Sequence, residues 1–446
     1  MISNTVETVE TPQVFGEPAS QADGERMVSQ VKKNKYFSKF TPIVKTNIQL
    51  DDADFSRVSI ESLGNQIRVF DHDEENNLDL ISYISCDLTD SDSIKKSRGL
   101  VYNGDKLVLK SFPYTPEYNC LDIEGVKKAF ENDFDKYSFY DAYEGALIRV
   151  FNFASKWYVS THKKFDAFTS KWASKKSFGD SFQDALEYLD KTNDKFLPQT
   201  ESRVLDRFYS ILDPAKQYMF LVMNTDDNRI VCNTPPNPTF YLVGTFVDNV
   251  LVETETEVGK GLGCILRPKK HQFSKIDDLL EYVKATDHTM IQGVVVFAPN
   301  NKQFKILNDT YSNLFKVRGN EPSIKYRYIQ VRNDPTIVES LKSLYPTASE
   351  SFEKYENTLK NVAVDIHKAY IKRYIKKEFT TVSQEQFKVM KDCHNWHSMD
   401  RIHNKVFLEK ILEMLNNQTP TAINHMIKQY EYERLKLSKL SEDNKQ

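Results

Sequence analysis

Between about residues 60 and 310, hydrophobic and polar positions alternate in short runs that break at turn residues, the pattern of paired strands. "SRGLVYNGDKLVLKSFP" (97–113) predicts a hairpin turning at Asn103-Gly104-Asp105, and "GALIRVFNF" with "KWYVST" predicts another through Ala154 and Ser155. "QYMFLVMN", "RIVCN", "TFYLVGTFV", "QGVVVFAP" and "KQFKIL" read as further strands, rich in β-branched and aromatic residues. Helical spacing is expected in "IEGVKKAFENDFDKY", "SFQDALEYLDKT" and "IDDLLEYVKAT", while "SKKSFGDSF" (174–182) reads as a loop. After Asp334-Pro335 the alternation stops. The stretches 351–379, 383–397, 401–416 and 422–440 carry helical periodicity instead. The expected fold is therefore α+β with an antiparallel sheet core, followed by an all-helical C-terminal domain. The expected division is an acidic disordered tail over 1–34, rich in Thr, Glu, Pro and Ser, then domains over 35–335 and 336–446.

The chain of 446 residues is long enough for two or three domains. No apolar run reaches the ~18 residues of a membrane span, and the N-terminus shows no basic and apolar secretory pattern. A cytoplasmic protein is expected, in the host cytoplasm or the virion if the source is viral. Five scattered cysteines without a CxxC pair fit free thiols in a reducing compartment. A net charge of −3 argues against a nucleic-acid coat over the whole surface and leaves room for a local basic groove.

The chemistry is read from four segments in order: "SRGLVYNGDKLVLKSFPYTPEYN", "AYEGALIRVF", "FLVMNTDDNRIV" and "IQGVVVFAPNNKQFKIL". Together they resemble the ATP-dependent RNA ligases of the phage T4 RNA ligase 1 type, found in phages and large DNA viruses. The resemblance runs from about Gly64 to Leu314, and "DCHNWH" (392–397) is similar to a segment of the family's helical domain. It implies a nucleotidyltransferase (ligase-like) fold. In that family a lysine amine attacks the α-phosphorus of ATP, and AMP then passes to an RNA 5′-phosphate. The chemistry needs a partly deprotonated lysine, carboxylates for ribose and a divalent ion, and cations for the phosphates.

Carried over by position, the family's lysine falls on Ala142, with its acid and glycine at Glu144 and Gly145. Two family glutamates fall on Val222 and Gln292, and two lysines on Leu307 and Pro116. Arg98, Tyr118, Asn119, Glu144, Arg229 and Lys305 match, which implies what remains of a nucleotide- or phosphate-binding site. No other lysine nearby (Lys136, Lys156, Lys163, Lys164) precedes an acid–glycine pair at the right spacing. The resemblance thus implies a ligase relative without a catalytic residue, a pseudoenzyme that binds RNA or a viral or host protein and needs no cofactor. An active RNA ligase using ATP and Mg²⁺ at an unorthodox site, and a virion assembly protein reusing the fold, are the alternatives.

In "HKAYIKRYIKK", Lys368, Lys372 and Lys376 recur every four residues, with Arg373 and Lys377 beside them and Tyr370 and Tyr374 as an aromatic stripe. This face suits RNA, tRNA-like or otherwise structured, and His394 and His397 are further candidates for contact. The alternative is a solvated face whose tyrosines pack on a neighbouring helix. Cys393, His394, His397 and His403 have poor spacing for one tetrahedral site, so no metal is expected.

Overall fold

A computed structural model describes residues 55–131, 133–252, 260–298 and 302–443. The acidic tail expected over 1–34 lies outside them. Four strands, β1 (Ile67–Asp73), β2 (Leu78–Tyr83), β3 (Leu100–Asn103) and β4 (Lys106–Leu109), form an antiparallel meander. A second sheet combines β5 (Glu117–Asn119), β6 (Ser138–Ala142), β12 (Lys270–His271), β13 (Gly293–Phe297) and β14 (Gln303–Leu307), in the order β12-β6-β13-β14-β5. The third holds β7 (Gly145–Phe153), β8 (Lys156–Ser160), β9 (Lys216–Met223), β10 (Phe240–Val247) and β11 (Val250–Val252), in the order β11-β10-β9-β7-β8. Pairing is antiparallel except between β14 and β5. Both expected hairpins form, and Ala154 and Ser155 each take the left-handed conformation that matches the twist of β7 and β8.

Two glycines of the quoted segments are required by backbone contact. A Cβ on Gly145 would stand 2.3 Å from the Val222 carbonyl oxygen of β9. One on Gly293, at φ +146°, would stand 2.1 Å from the Ile306 oxygen of β14. Strand pairing here tolerates no side chain.

The helices among the strands are α1 (Arg57–Glu61), α2 (Asp92–Lys96), α3 (Ile123–Ala129), α4 (Phe178–Thr192), α5 (Val204–Ser210) and α6 (Ile276–Ala285). Three expectations are corrected. The stretch 174–182 is not a loop throughout: the Ser177 hydroxyl accepts from Asp180 N, and the Asp180 carboxylate accepts from Ser177 N. This capping box starts α4, whose Phe182, Ala185 and Leu186 pack on Ile148, Val150 and Phe220. Helix α3 is shorter than the pattern implies, because Phe130 turns into a cluster with Phe134, Tyr137 and Phe304, its ring 4.8 Å from Tyr137 and 5.2 Å from Phe304. "RIVCN" forms no strand; its backbone finds a different partner, described below.

A helical region follows β14 directly: α7 (Asp309–Arg318), α8 (Ile324–Val331), α9 (Pro335–Leu344), α10 (Ser349–Tyr370), α11 (Gln384–Met399), α12 (Leu408–Asn416) and α13 (Pro420–Asp443). The change of pattern at Asp334-Pro335 thus falls inside this region. In 401–416 only the second half is helical, since Asp400 ties down the turn at Ile402 and His403. Phe352, Leu359, Val362 and Ile366 lie on one stripe of α10 and pack against Val389 and Cys393, Ile411 and Leu415, and Met426. The Tyr328 ring of α8 stacks on Phe352 at 4.3 Å, and Arg332 grips Glu356 through two short contacts, so α8 belongs to the same core. Among the described residues no helix is long and apolar enough to cross a membrane.

Candidate functional site

The two five-stranded sheets enclose a cleft of about 900 Å³. Period-2 alternation and strand register place Tyr140, Val295, Lys305 and Glu117 side by side across its floor. Gly145, Leu147, Leu221 and Gly244 supply the facing wall. The chemistry of the cleft is cationic and aromatic: Arg98, Lys136, Arg267, Lys270 and Lys305 line it against Glu117 and Asp141, with Tyr83, Tyr114, Tyr140 and Tyr143. Lys305 Nζ donates to Glu117 at 3.1 Å and to Gln292 Oε1 at 3.0 Å. Asp141 Oδ1 accepts from His271 Nε2 at 2.8 Å and from the Tyr282 hydroxyl at 2.9 Å. Burial, then that carboxylate, raises the Tyr282 phenol above its ordinary range. Of these, Tyr140, Asp141 and Tyr143 lay in plain view in "YDAYEG"; Arg267 and Lys270 stood in the basic string "LRPKKH", which offered no spacing to read.

At one end of the cleft, Arg98 keeps a buried Nε without a hydrogen-bond partner and donates weakly from Nη1 to Pro113 O at 3.3 Å. Behind it Arg149 is wholly buried, its guanidinium donating to the Gly99 and Thr161 carbonyls. Burial, then Arg98, lowers its pKa to about 9. His162 is pushed down to about 3 by burial, then by Arg98, Arg149 and Lys163.

Ala142, Gly293 and Leu307 are register partners across β6, β13 and β14. Ala142 is 1% exposed, and its carbonyl accepts from Gln292 N at 2.7 Å. Val222 is buried in the core beneath α4, and Leu307 packs with Val231, Cys232 and Tyr311. Pro116 contributes a carbonyl to Lys305 N at 2.8 Å. These positions are filled by packing or backbone pairing.

Of the six matching residues, Arg98 and Lys305 line the cleft; the other four sit outside it. The Tyr118 ring packs edge-on against Phe304, and Asn119 joins β5 to α7 through Asp309 at 3.0 Å. Glu144 is 2% exposed and organises the segment expected to be a strand. Its Oε1 accepts from Asn224 Nδ2 (3.1 Å) and Ile230 N (2.9 Å); its Oε2 accepts from Val231 N (3.0 Å), Cys232 N (3.2 Å) and the Tyr311 hydroxyl (3.2 Å). A buried carboxylate thus takes the N–H groups that a neighbouring strand would have taken. Burial, then Glu144, raises both the Cys232 thiol and the Tyr311 phenol. Arg229 closes this hub by donating to the Cys232, Val231 and Leu344 carbonyls, so it ties the sheet region to the end of α9.

Comparison with known proteins places the chain. It is 30% identical over 358 residues to the immediate-early protein ICP-46 homolog of Invertebrate iridescent virus 6, covering 74% of this chain and 76% of that one. The chain belongs to the ICP-46 family. It is thereby a viral protein. No family profile matches it. It is also 24% identical over 257 residues to a protein of Autographa californica nuclear polyhedrosis virus described as "Putative bifunctional polynucleotide kinase/RNA ligase", over 54% of this chain and 34% of that one. An archaeal ATP-dependent RNA ligase structure aligns with a TM-score of 0.36 and 13% identity, over 85% of this chain and 86% of that one.

In this ICP-46 family member the basic helix face departs from the expected geometry. Lys368, Lys372, Arg373, Lys376 and Lys377 are all exposed, and Lys368 pairs with Asp365 at 3.3 Å. Helix α10 ends at Tyr370 and continues as one π-helical turn over Ile371–Ile375, so Lys376 leaves the four-residue stripe. The tyrosines face inward: Tyr370 is buried, and Tyr374 stacks on His394 at 3.8 Å. His394 is pushed down by burial, then by His397, Lys377 and Arg401, and His397 Nδ1 lies 2.5 Å from Asn404 O. Among the described residues, no group of three or more His, Cys, Asp or Glu side chains could hold a metal ion.

Proposed function

We propose that this ICP-46-family chain is an RNA-ligase-like protein that does not adenylylate itself and binds RNA through the cleft and the helical region. The observation that carries the reading is the burial of Ala142, the position to which the resemblance carries the family's nucleophilic lysine: its methyl group is sealed at 1% exposure between β6, β13 and the 292–293 backbone. Alanine has no group to attack a phosphorus, and Val222 and Leu307 close the neighbouring positions with apolar contacts. The positions to which the family's carboxylates carry over are not free for a divalent ion either. Glu144 has both oxygens committed to the 224–232 segment, and Gln292 is neutral. The cations and tyrosines of the cleft suit the phosphate and sugar of an RNA end, held without chemistry. RNA is the proposed ligand in the host cytoplasm or virion, with a viral or host protein partner as the competing reading.

One observation favours a second reading, an active ligase using ATP and Mg²⁺. Lys305, Lys270 and Lys136 all line the cleft, and any of them carries the required amine. The deciding experiment incubates purified protein with α-labelled ATP and Mg²⁺ or Mn²⁺, followed by denaturing electrophoresis. No covalent AMP is expected beside a family ligase that labels well. A labelled lysine would overturn the proposal and identify the unorthodox nucleophile.

A further inference from the structure

We infer that the surface where α10 ends against α11 takes unpaired RNA and discriminates against duplex. The inference rests on the RNA-binding reading and names the class of RNA. After the π-helical turn the chain leaves α10 with Lys377 at φ +60°, and this exit carries two large apolar side chains into solvent, Ile375 at 65% and Phe379 at 91% exposure. The far end of α11 does the same with Met399 (82%) and Ile402 (77%). Contacts join the two edges: His394 of α11 stacks on Tyr374 at 3.8 Å, and His397, one turn further on, lies 2.5 Å from the Asn404 carbonyl oxygen.

Single exposed apolar residues are ordinary on any surface. Here they are interleaved with exposed cations, Lys372, Arg373, Lys376 and Lys377 on one edge and Arg401 and Lys405 on the other. Of the two carboxylates in the same segments, Glu378 and Asp400, the second is already paired with His403 at 2.7 Å.

A surface that alternates cations with flat or flexible apolar groups matches a strand whose phosphates and base faces are both accessible. Duplex RNA offers the phosphates but stacks its base faces away, so it satisfies only the cations. A bilayer fits less well, because Lys376 and Lys377 stand between Ile375 and Phe379 and would have to enter the apolar layer with them.

The test uses the full chain and fluorescence anisotropy with a labelled, unstructured 20-nucleotide RNA and its 20-base-pair duplex across a salt series. The single strand should bind at least about tenfold tighter. F379S/M399S should weaken single-strand binding about tenfold and leave the salt slope unchanged, both sites being exposed and harmless to folding. K372A/K376A/K377A should reduce the slope by about 2, at roughly 0.7 per phosphate contact. RNA binding with no strand preference, or binding unaffected by F379S/M399S, overturns this inference and leaves the RNA-binding reading standing. Absence of RNA binding overturns both. Co-sedimentation with anionic vesicles that F379S/M399S abolishes, without strand discrimination, makes the face a lipid surface and overturns the inference.

Discussion

Two regions only two residues apart in sequence, the Ala142 end of the cleft and the Glu144 hub, show opposite uses of one strand connection. On the cleft side, Ala142, Gln292 and Leu307 are uncharged; Ala142 and Leu307 are held by packing and backbone pairing, and Gln292 accepts from Lys305. On the hub side, a charged residue is present and buried, and its oxygens are taken by backbone and side-chain donors from the 224–232 segment and α7. A charge buried beside the cleft is here committed to the scaffold. Glu144 and Arg229 match the resembled family, yet what they do in this structure is join three pieces of backbone.

The strongest test of that contrast is Glu144→Ala. It leaves three backbone N–H groups, the Asn224 amide and the Tyr311 hydroxyl without this acceptor, and should cost about 4 kcal/mol in urea unfolding. A loss below about 1 kcal/mol would mean that the hub relaxes onto water. Second is an acid effect at the other end of the cleft. His162 is held neutral, with its folded pKa of about 3 below the ordinary 6.5, so the unfolded chain binds the extra proton between these values. Stability from this site is complete above pH 6.5 and falls as pH drops toward 3, by about 3 kcal/mol between pH 7 and 4. His162→Asn should remove that share of the difference in unfolding midpoint between the two pH values; an unchanged difference would place the acid sensitivity elsewhere.

Gly293→Ala comes next, at about 2–3 kcal/mol, because β13 and β14 must separate locally to admit the methyl group. Thermal unfolding measures it, and a neutral result would show that the pairing at Ile306 is loose. On the cleft side, Ala142→Lys should cost about 1–3 kcal/mol for placing an amine in a buried site and should not produce covalent AMP. Labelling by that variant would show that the lysine position alone separates this protein from an active ligase. The smallest expected effect is Lys305→Ala. Loss of one cation beside Glu117 should weaken nucleotide or RNA-end binding by roughly threefold to tenfold with stability nearly unchanged, read by calorimetric titration.

The strands and their hairpins were legible because each carries its own signal: alternation on one side, turn chemistry at Gly104 and the 154–155 pair on the other. Where the pattern misled, a long-range partner overrode it. "RIVCN" has strand composition, but Glu144, more than 80 residues earlier, is what its N–H groups meet. The "SFGDS" stretch hid a helix start because its small polar residues serve a cap as well as a loop. At the candidate site, the order of segments pointed to the two sheets that build the cleft. It could not say that Tyr118, Asn119 and Arg229 point elsewhere, or that Arg267 and Lys270 come in from β12 and the segment before it.

What the sequence determined by itself was local: element types, the antiparallel pairing of neighbours, the helical C-terminal region, and the absence of a lysine at position 142. Tertiary structure decided which side of each strand meets the cleft, which carboxylate is committed to backbone, and how the basic helix ends. A one-residue change in facing reverses a side chain's surroundings, and a single π-helical turn rotates every cation after it. Such choices are made by contacts between segments that lie tens to hundreds of residues apart, and periodicity along the chain carries no record of them.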